Sequence, residues 1–215
     1  MSRRRQAAPE SIDPAWLIEQ LAGPAEAFRI PLPPIADELA RFCTELLRWN
    51  ARINLTGARD AAALVRSHIA DALAVVSLLP PAPAQWIDVG SGAGLPGLVM
   101  AIARPDLRGI LLEPMEKRRV FLLATQRALH LGNLVVSADR AEQHLVRGNA
   151  ASCDAAVARA VFPLEEWLSL GRRFVRPGGI VIGLEGSRRI ALGPGAERLP
   201  YDLGTGPRAL IRVRC

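Results

Sequence analysis

The feature that most limits how this chain can fold is WIDVGSGAGLPGLVMAIARPDLRGILLEP, residues 86–114. It runs apolar strand, acid, glycine cluster, apolar helix, second apolar strand, second acid. Gly90, Gly92 and Gly94 follow a short apolar run directly. Glycines there let the backbone turn tightly and come close to a ligand, with the N–H groups of the next helix facing it. Downstream the alternation continues. Strands are predicted over residues 86–89, 109–112, 134–137, 155–158, 179–184 (after an RPGG turn) and 209–213. Helices are predicted over 95–104, 116–131, 141–146 and 164–174. Strand–helix repetition of this kind implies an α/β fold with a mainly parallel, doubly wound sheet, whose ligands bind beyond the carboxyl ends of the strands.

The first part of the chain reads differently. Ile35, Leu39, Phe42, Leu46, Trp49 and Ile53 recur at steps of three and four, which predicts an amphipathic helix over residues 35–53. NLTGARD is a turn, and residues 61–79 form a second helix. PPAPA, residues 80–84, is a stiff linker and the expected domain boundary. Residues 1–34 are expected to be a tail, disordered over the first fourteen. Residues 35–84 are expected to form a helical cap, and 85–215 the ligand-binding domain. A chain of 215 residues, half of them hydrophobic, is long enough for one α/β core with an added element.

Composition removes several classes of function. No run of 18 or more uncharged apolar residues predicts a membrane span. MSRRRQAAPE carries a basic triplet with no apolar segment after it, unlike a secretory leader. Cys43, Cys153 and Cys215 are odd in number and far apart, which suits a reducing cytoplasm and shows no metal spacing. The formal net charge of +6 falls entirely on residues 85–215, where eighteen Arg and Lys face twelve acids; Lys117 is the only lysine in the chain. Arginine forks phosphate with two parallel hydrogen bonds, so this half of the molecule favours an anionic partner such as RNA. A GC-rich coding sequence accounts for part of the Arg-to-Lys ratio but not for the one-sided charge.

The glycine spacing decides between ligands. A dinucleotide fingerprint reads Gly-x-Gly-x-x-Gly; here it is Gly-x-Gly-x-Gly, and Leu95 fills the third dinucleotide position. Asp88 precedes the turn by two residues, where a pyrophosphate binder has little use for an acid. S-adenosylmethionine, with an ammonium, a sulfonium and no phosphate, suits that acid. Glu113 ends the second strand and is placed to accept both ribose hydroxyls. Asp139-Arg140-Ala141-Glu142 follows the third strand, where backbone groups and a carboxylate face the adenine edge. Three acids at three successive strand ends, with a glycine turn, point to a class I (Rossmann-like) methyltransferase.

The fourth strand ends in Ala158-Arg159-Ala160-Val161. It has neither the Asn/Asp-Pro-Pro-aromatic sequence of amino-group methyltransferases nor a nucleophilic cysteine at its carboxyl end. Arg159 is the candidate catalytic residue. His68 and Asp71 lie three apart on the second helix and are expected to form a structural pair.

LLRWNARINLTGARD, HIADAL, IDVGSGAGLPG, EPMEKRRVFL, DRAEQ and ARAVFPL together resemble the bacterial 16S ribosomal RNA guanine-N7 methyltransferases, also called glucose-inhibited division protein B, over roughly residues 35–186. The resemblance implies a class I fold, S-adenosylmethionine as donor, and guanine 527 in the 530 loop of 16S RNA as target. It also implies cofactor contacts at Gly90, Leu95, the Ala141-Glu142 backbone and Arg159. The expected enzyme is cytoplasmic, monomeric, free of metal, and a partner of the small ribosomal subunit. Family members often carry Lys-Gly after the fifth strand, where this chain has Glu185-Gly186, so that lysine's contact to RNA has no counterpart here. Ser91 and Ala93 replace frequent Thr and Pro in the turn. Two other functions fit the fold: a small-molecule or protein methyltransferase, and a dinucleotide-dependent oxidoreductase.

Overall fold

The computed structural model describes residues 11–186, 188–204 and 206–215. Seven strands form one sheet in the order β3-β2-β1-β4-β5-β7-β6. β1 (Gln85–Val89), β2 (Arg108–Leu112), β3 (Leu134–Ser137), β4 (Cys153–Ala158) and the β4–β5 pair are parallel, whereas β5 (Val175–Glu185), β7 (Pro207–Arg214) and β6 (Ala196–Asp202) pair antiparallel. Chain direction across the sheet reverses between β1 and β4, which leaves a crevice at their carboxyl ends, the usual ligand position in such folds.

Five of the six expected strands appear within two residues of their predicted bounds. β5 is longer than expected because the RPGG stretch is an irregularity inside the strand, with Gly178 at φ 83. β6 was not expected. Its burial alternates only weakly, and Pro200 interrupts its donors, which an edge strand tolerates.

The amino-terminal part is more structured than its sequence suggests. α1 (Pro14–Phe28) starts at Asp13, whose carboxylate accepts from the Ala15 N–H at 3.2 Å, and it ends at Arg29 in the left-handed region. Gly23 and Pro24 inside this helix, and only Leu17, Leu21 and Ala25 buried, explain why its periodicity is faint. The first ten residues of the expected tail lie outside the described residues. α2 (Ala36–Ile53) follows the expected face. Residues 61–76 form one continuous rod: α3 (Ala61–Ala63), a π-helical turn (Leu64–Ile69) and α4 (Ala70–Val76). Every residue of α4 is buried, Asp71 included.

α5 (Gly97–Ala103) and α6 (Glu116–Ala128) cover the same sheet face as the cap. One apolar cluster runs from Leu17 and Phe42 through Leu73 and Leu98 to Trp86, Val157 and Ile182. α7 (Ala141–His144, continued by a π-helical turn Leu145–Asn149) and α8 (Leu164–Gly171) cover the other face around Trp167 and Phe174. Among the described residues no helix is long and apolar enough to cross a membrane, and no group of acids, histidines and cysteines is placed to hold a metal.

Candidate cofactor and acceptor site

β1 delivers Asp88 and then the glycine turn to the crevice. Gly90 and Ser91 donate to the Leu112 carbonyl at 2.9 and 3.0 Å, so the turn is tied to the end of β2. Glu113, 2% exposed, completes the tie: Oε2 accepts from the Gly92 N–H and Oε1 from the Met115 N–H, both at 2.8 Å. The carboxylate therefore shapes the turn, and each oxygen keeps a lone pair for a ligand. The three glycines differ. A Cβ on Gly90 would lie 2.5 Å from Val161 Cγ2, and one on Gly94 would overlap the side chain of Leu98. At Gly92 nothing stands nearer than the Gly90 carbonyl at 3.8 Å, so Gly92 is the turn's open point.

Asp88 lies beneath the turn, 1% exposed. Its Oδ2 accepts from the Gly97 N–H at 3.0 Å, while Oδ1 is buried with no hydrogen-bond partner among the described residues. Burial pushes this carboxyl up to about 7; the Gly97 N–H and the field of Arg159 oppose the rise. The helix begins at Gly97, two residues later than expected, and its first N–H is taken by Asp88. The expectation that helix N–H groups face the ligand is thus corrected: Asp88 uses the first and Pro96 has none. Leu95 is 3% exposed, with its side chain in the core, which leaves its backbone for a ligand.

After β3, the Asp139 carboxylate is engaged by the helix that follows it. It pairs with Arg147 at 2.5 Å and approaches His144 at 3.6 Å. Ala141 opens α7 and is buried, whereas Glu142 is exposed in its first turn. Glu142 and the Ala141 backbone remain as the groups on that side.

β4 is buried at all six positions and carries Arg159 just past its end. The next residue, Ala160, has φ 57, which turns the chain so that Val161 meets Gly90. Arg159 and Asp88 lie on the sheet face that α4 covers. There Arg159 Nη1 is 3.0 Å from His68 Nδ1. A guanidinium has no acceptor, so Arg159 donates and His68 accepts as a neutral ring. Burial, then Arg159 and Arg208, pull His68 down to about 4, which keeps the ring neutral at physiological pH. His68 and Asp71 are not a pair. Asp71 instead accepts from Tyr201 Oη and Arg208 Nη1, each at 2.8 Å. A cavity of about 490 Å³ opens over the ends of β4 and β5, lined by Asp71, Arg159, Phe162, Trp167, Glu185 and Arg208 among others. A larger cavity of about 920 Å³ lies around Arg104, Leu131 and Phe28, near the starts of β2 and β3, and holds none of the residues above.

Glu185 is not an open replacement for a lysine. Arg198 grips both its oxygens at 2.8 Å, and the Ile190 N–H donates to it at 3.0 Å. Tyr201, Arg208 and Val161 were missed in the sequence. Only Val161, next to Arg159 in the ARAV stretch, carried a local signal; the other two belong to a strand pair whose register cannot be read from spacing.

A family profile described as rRNA small subunit methyltransferase G matches residues 35–191. A protein of Sorangium cellulosum called ribosomal RNA small subunit methyltransferase G is 42% identical over 154 residues, which cover 70% of this chain and 64% of that protein. The chain thus matches just under two thirds of that relative's length. A relative of the same name from Bordetella avium is 35% identical, covering 83% of this chain and 79% of its own. Among solved structures, a methyltransferase from Geobacter sulfurreducens superposes with a TM-score of 0.58 at 11% identity, over 81% of this chain and 90% of that one. That likeness is one of fold, the class I methyltransferase architecture.

Proposed function

The chain belongs to the rRNA small subunit methyltransferase G family, and from that premise we propose that it methylates N7 of a guanine in 16S ribosomal RNA, at position 527 of the 530 loop, with S-adenosylmethionine as donor. When bound, that cofactor supplies an electrophilic methyl group on a sulfonium. The residues present fit it. Asp88 Oδ1 is a buried carboxylate oxygen without a partner among the described residues, suited to a cationic ligand. Gly92 is the open point of the turn, flanked by the Gly90 and Gly94 backbone and by Leu95. Glu113 retains lone pairs for a ribose, and the Ala141 backbone with Glu142 borders the adenine side.

The observation that carries the acceptor reading is the chemistry at the end of β4. Ala158-Arg159-Ala160-Val161 supplies no proton acceptor, and the nearby His68 Nδ1 is occupied by Arg159. Guanine N7 bears an in-plane lone pair and no proton, so it needs placement and a dry path rather than a general base. Arg159 orients the guanine or its phosphate, and the apolar wall of Phe162 and Trp167 excludes water. The arginine-rich surface of residues 85–215 attracts the RNA. A substrate in 16S RNA goes with action on the small ribosomal subunit in the cytoplasm.

A dinucleotide-dependent oxidoreductase does not suit this turn, because the first helical N–H that would face a pyrophosphate is held by Asp88. A small-molecule methyltransferase would bind without the salt dependence of a polyanion. Mass mapping of 16S RNA from a deletion strain, with and without the gene restored, tests the proposal. A missing methyl on guanine 527 that returns on complementation is the expected result; full methylation in the deletion strain refutes it.

A further inference from the structure

The chain beyond residue 191 lies outside the family-matched segment, yet it reaches the site. Tyr201 on β6 and Arg208 on β7 both bond Asp71, one to each carboxylate oxygen. Asp71 is 6% exposed and stands one helical turn from His68, on the rod whose π-helical turn (Leu64–Ile69) presents His68 to Arg159. π-helical turns inside α-helices are frequent at functional sites, because they re-aim one side chain. The Asp71 carboxylate also lies between two part-buried guanidinium groups that would otherwise repel, Arg159 and Arg208, and its charge offsets both.

We propose that the β6–β7 hairpin is a working part of the methyl-transfer site: Tyr201 and Arg208 are positioning residues that clamp Asp71, and the clamped helix holds His68 against Arg159. This rests on the acceptor reading of Arg159 given above. The order of dependence is geometric. Arg159 has five N–H donors, and the one side-chain hydrogen bond found for it among the described residues goes to His68. The orientation of its remaining donors toward the 490 Å³ cavity is therefore set by where His68 stands. Apolar packing holds the rod in the core, and Asp71's two bonds across to the hairpin set the exact rotation of its polar side, on which His68 stands. Loss of the Tyr201 hydroxyl frees one side of the clamp and lets the rod shift. A misplacement of about 1 Å at a reacting centre is enough to cost up to roughly a hundredfold in rate.

The test uses the full chain and four variants: Tyr201→Phe, Asp71→Asn, His68→Leu and His68→Asn. Asparagine places an acceptor close to the position of Nδ1, whereas leucine removes it. Single-turnover methylation of 16S RNA is expected to fall about tenfold in the first three and to stay within about threefold of wild type in His68→Asn. Cofactor affinity is expected to be unchanged in all four. A merely structural role predicts instead that rate follows melting temperature, with no rescue by asparagine. A second readout needs no substrate. The chain has three histidines, so their ring nitrogen resonances can be assigned individually. Tyr201→Phe and Asp71→Asn should move the His68 Nδ1 resonance toward that of a ring with a free acceptor. An unmoved resonance overturns the proposal whatever the rates. A moved resonance with unchanged turnover overturns it as well. If the wild-type protein fails to methylate 16S RNA, the acceptor reading fails, and the His68 resonance alone decides whether the hairpin holds the site.

Discussion

Glu113 is a scaffold in the structure and, in the proposed function, a ligand group as well. Two backbone N–H groups bond its carboxylate, and hydrogen bonds to charged groups each contribute about 1.5–3 kcal/mol. Glu113→Ala should therefore lower the melting temperature as well as raise the cofactor dissociation constant at least about tenfold. Thermal unfolding and calorimetry on one preparation check this; a weakened affinity at unchanged melting temperature would mean that the carboxylate does not shape the turn. Asp88 makes a prediction in pH. Burial raises its carboxyl from 3.8 to about 7 in the folded chain, so the folded state holds the proton across that window. Its contribution to stability is greatest below 3.8 and declines as pH rises toward 7. A cationic ligand near the unpaired oxygen favours the ionised form. Cofactor binding at pH near 6.5 should then release a proton, and affinity should rise with pH up to about 7. Calorimetry in buffers of different ionisation enthalpy measures the release, and Asp88→Asn should abolish it.

At the scale of elements, the glycine turn separates packing from binding. Gly92 and Gly94 both have positive φ, at 53 and 74. Only Gly94 has no room for a side chain, because Leu98 and Leu122 fill the space. Gly94→Ala should lose about 1–3 kcal/mol through overpacking. Gly92→Asp should fold near normally, since aspartate tolerates the left-handed region, while its carboxylate in the turn's open space blocks the cofactor. Melting curves and cofactor titration of the two variants should diverge in opposite directions; equal destabilisation would erase the distinction. The same contrast explains what was legible in the sequence. Turn, acid and strand are local in the βαβ unit, so the gathering of Asp88, Gly90, Gly92 and Glu113 around one turn could be read from spacing. α2 was legible because Leu39, Phe42 and Leu46 mark one face. α1 was not, because Gly23 and Pro24 interrupt a face with only three buried residues. An acid at a strand end reads as a ligand group, and the pairing of Asp139 with Arg147 and His144 of the following helix has no mark in the sequence. Tyr201 and Arg208 reach Asp71 across 130 and 137 residues, a distance over which no spacing rule operates.

For the whole molecule, the stiff PPAPA linker does not separate two cores. The last helical rod of the cap packs against α1 on one side and α5 on the other, and its Ile69, Leu73, Val75 and Val76 are at most 3% exposed. Burying each such side chain contributes about 1.5–3 kcal/mol. The four together are comparable with the whole net stability of a typical domain, about 5–15 kcal/mol. Residues 85–215 without the cap would expose the apolar face of α5, including Leu98 and Met100, and would lose His68 and Asp71 from the site. The full chain should therefore unfold in one transition, with calorimetric and van't Hoff enthalpies equal. Cofactor at a hundred times its dissociation constant should raise that entire transition, by about 2.7 kcal/mol, although the glycine turn lies in the sheet half alone. Scanning calorimetry with and without cofactor measures both. Two transitions, with only the hotter or the cooler one moved by the cofactor, would show that cap and sheet are energetically separate. In that case the bond from His68 to Arg159 would join two independently stable bodies instead of lying inside one.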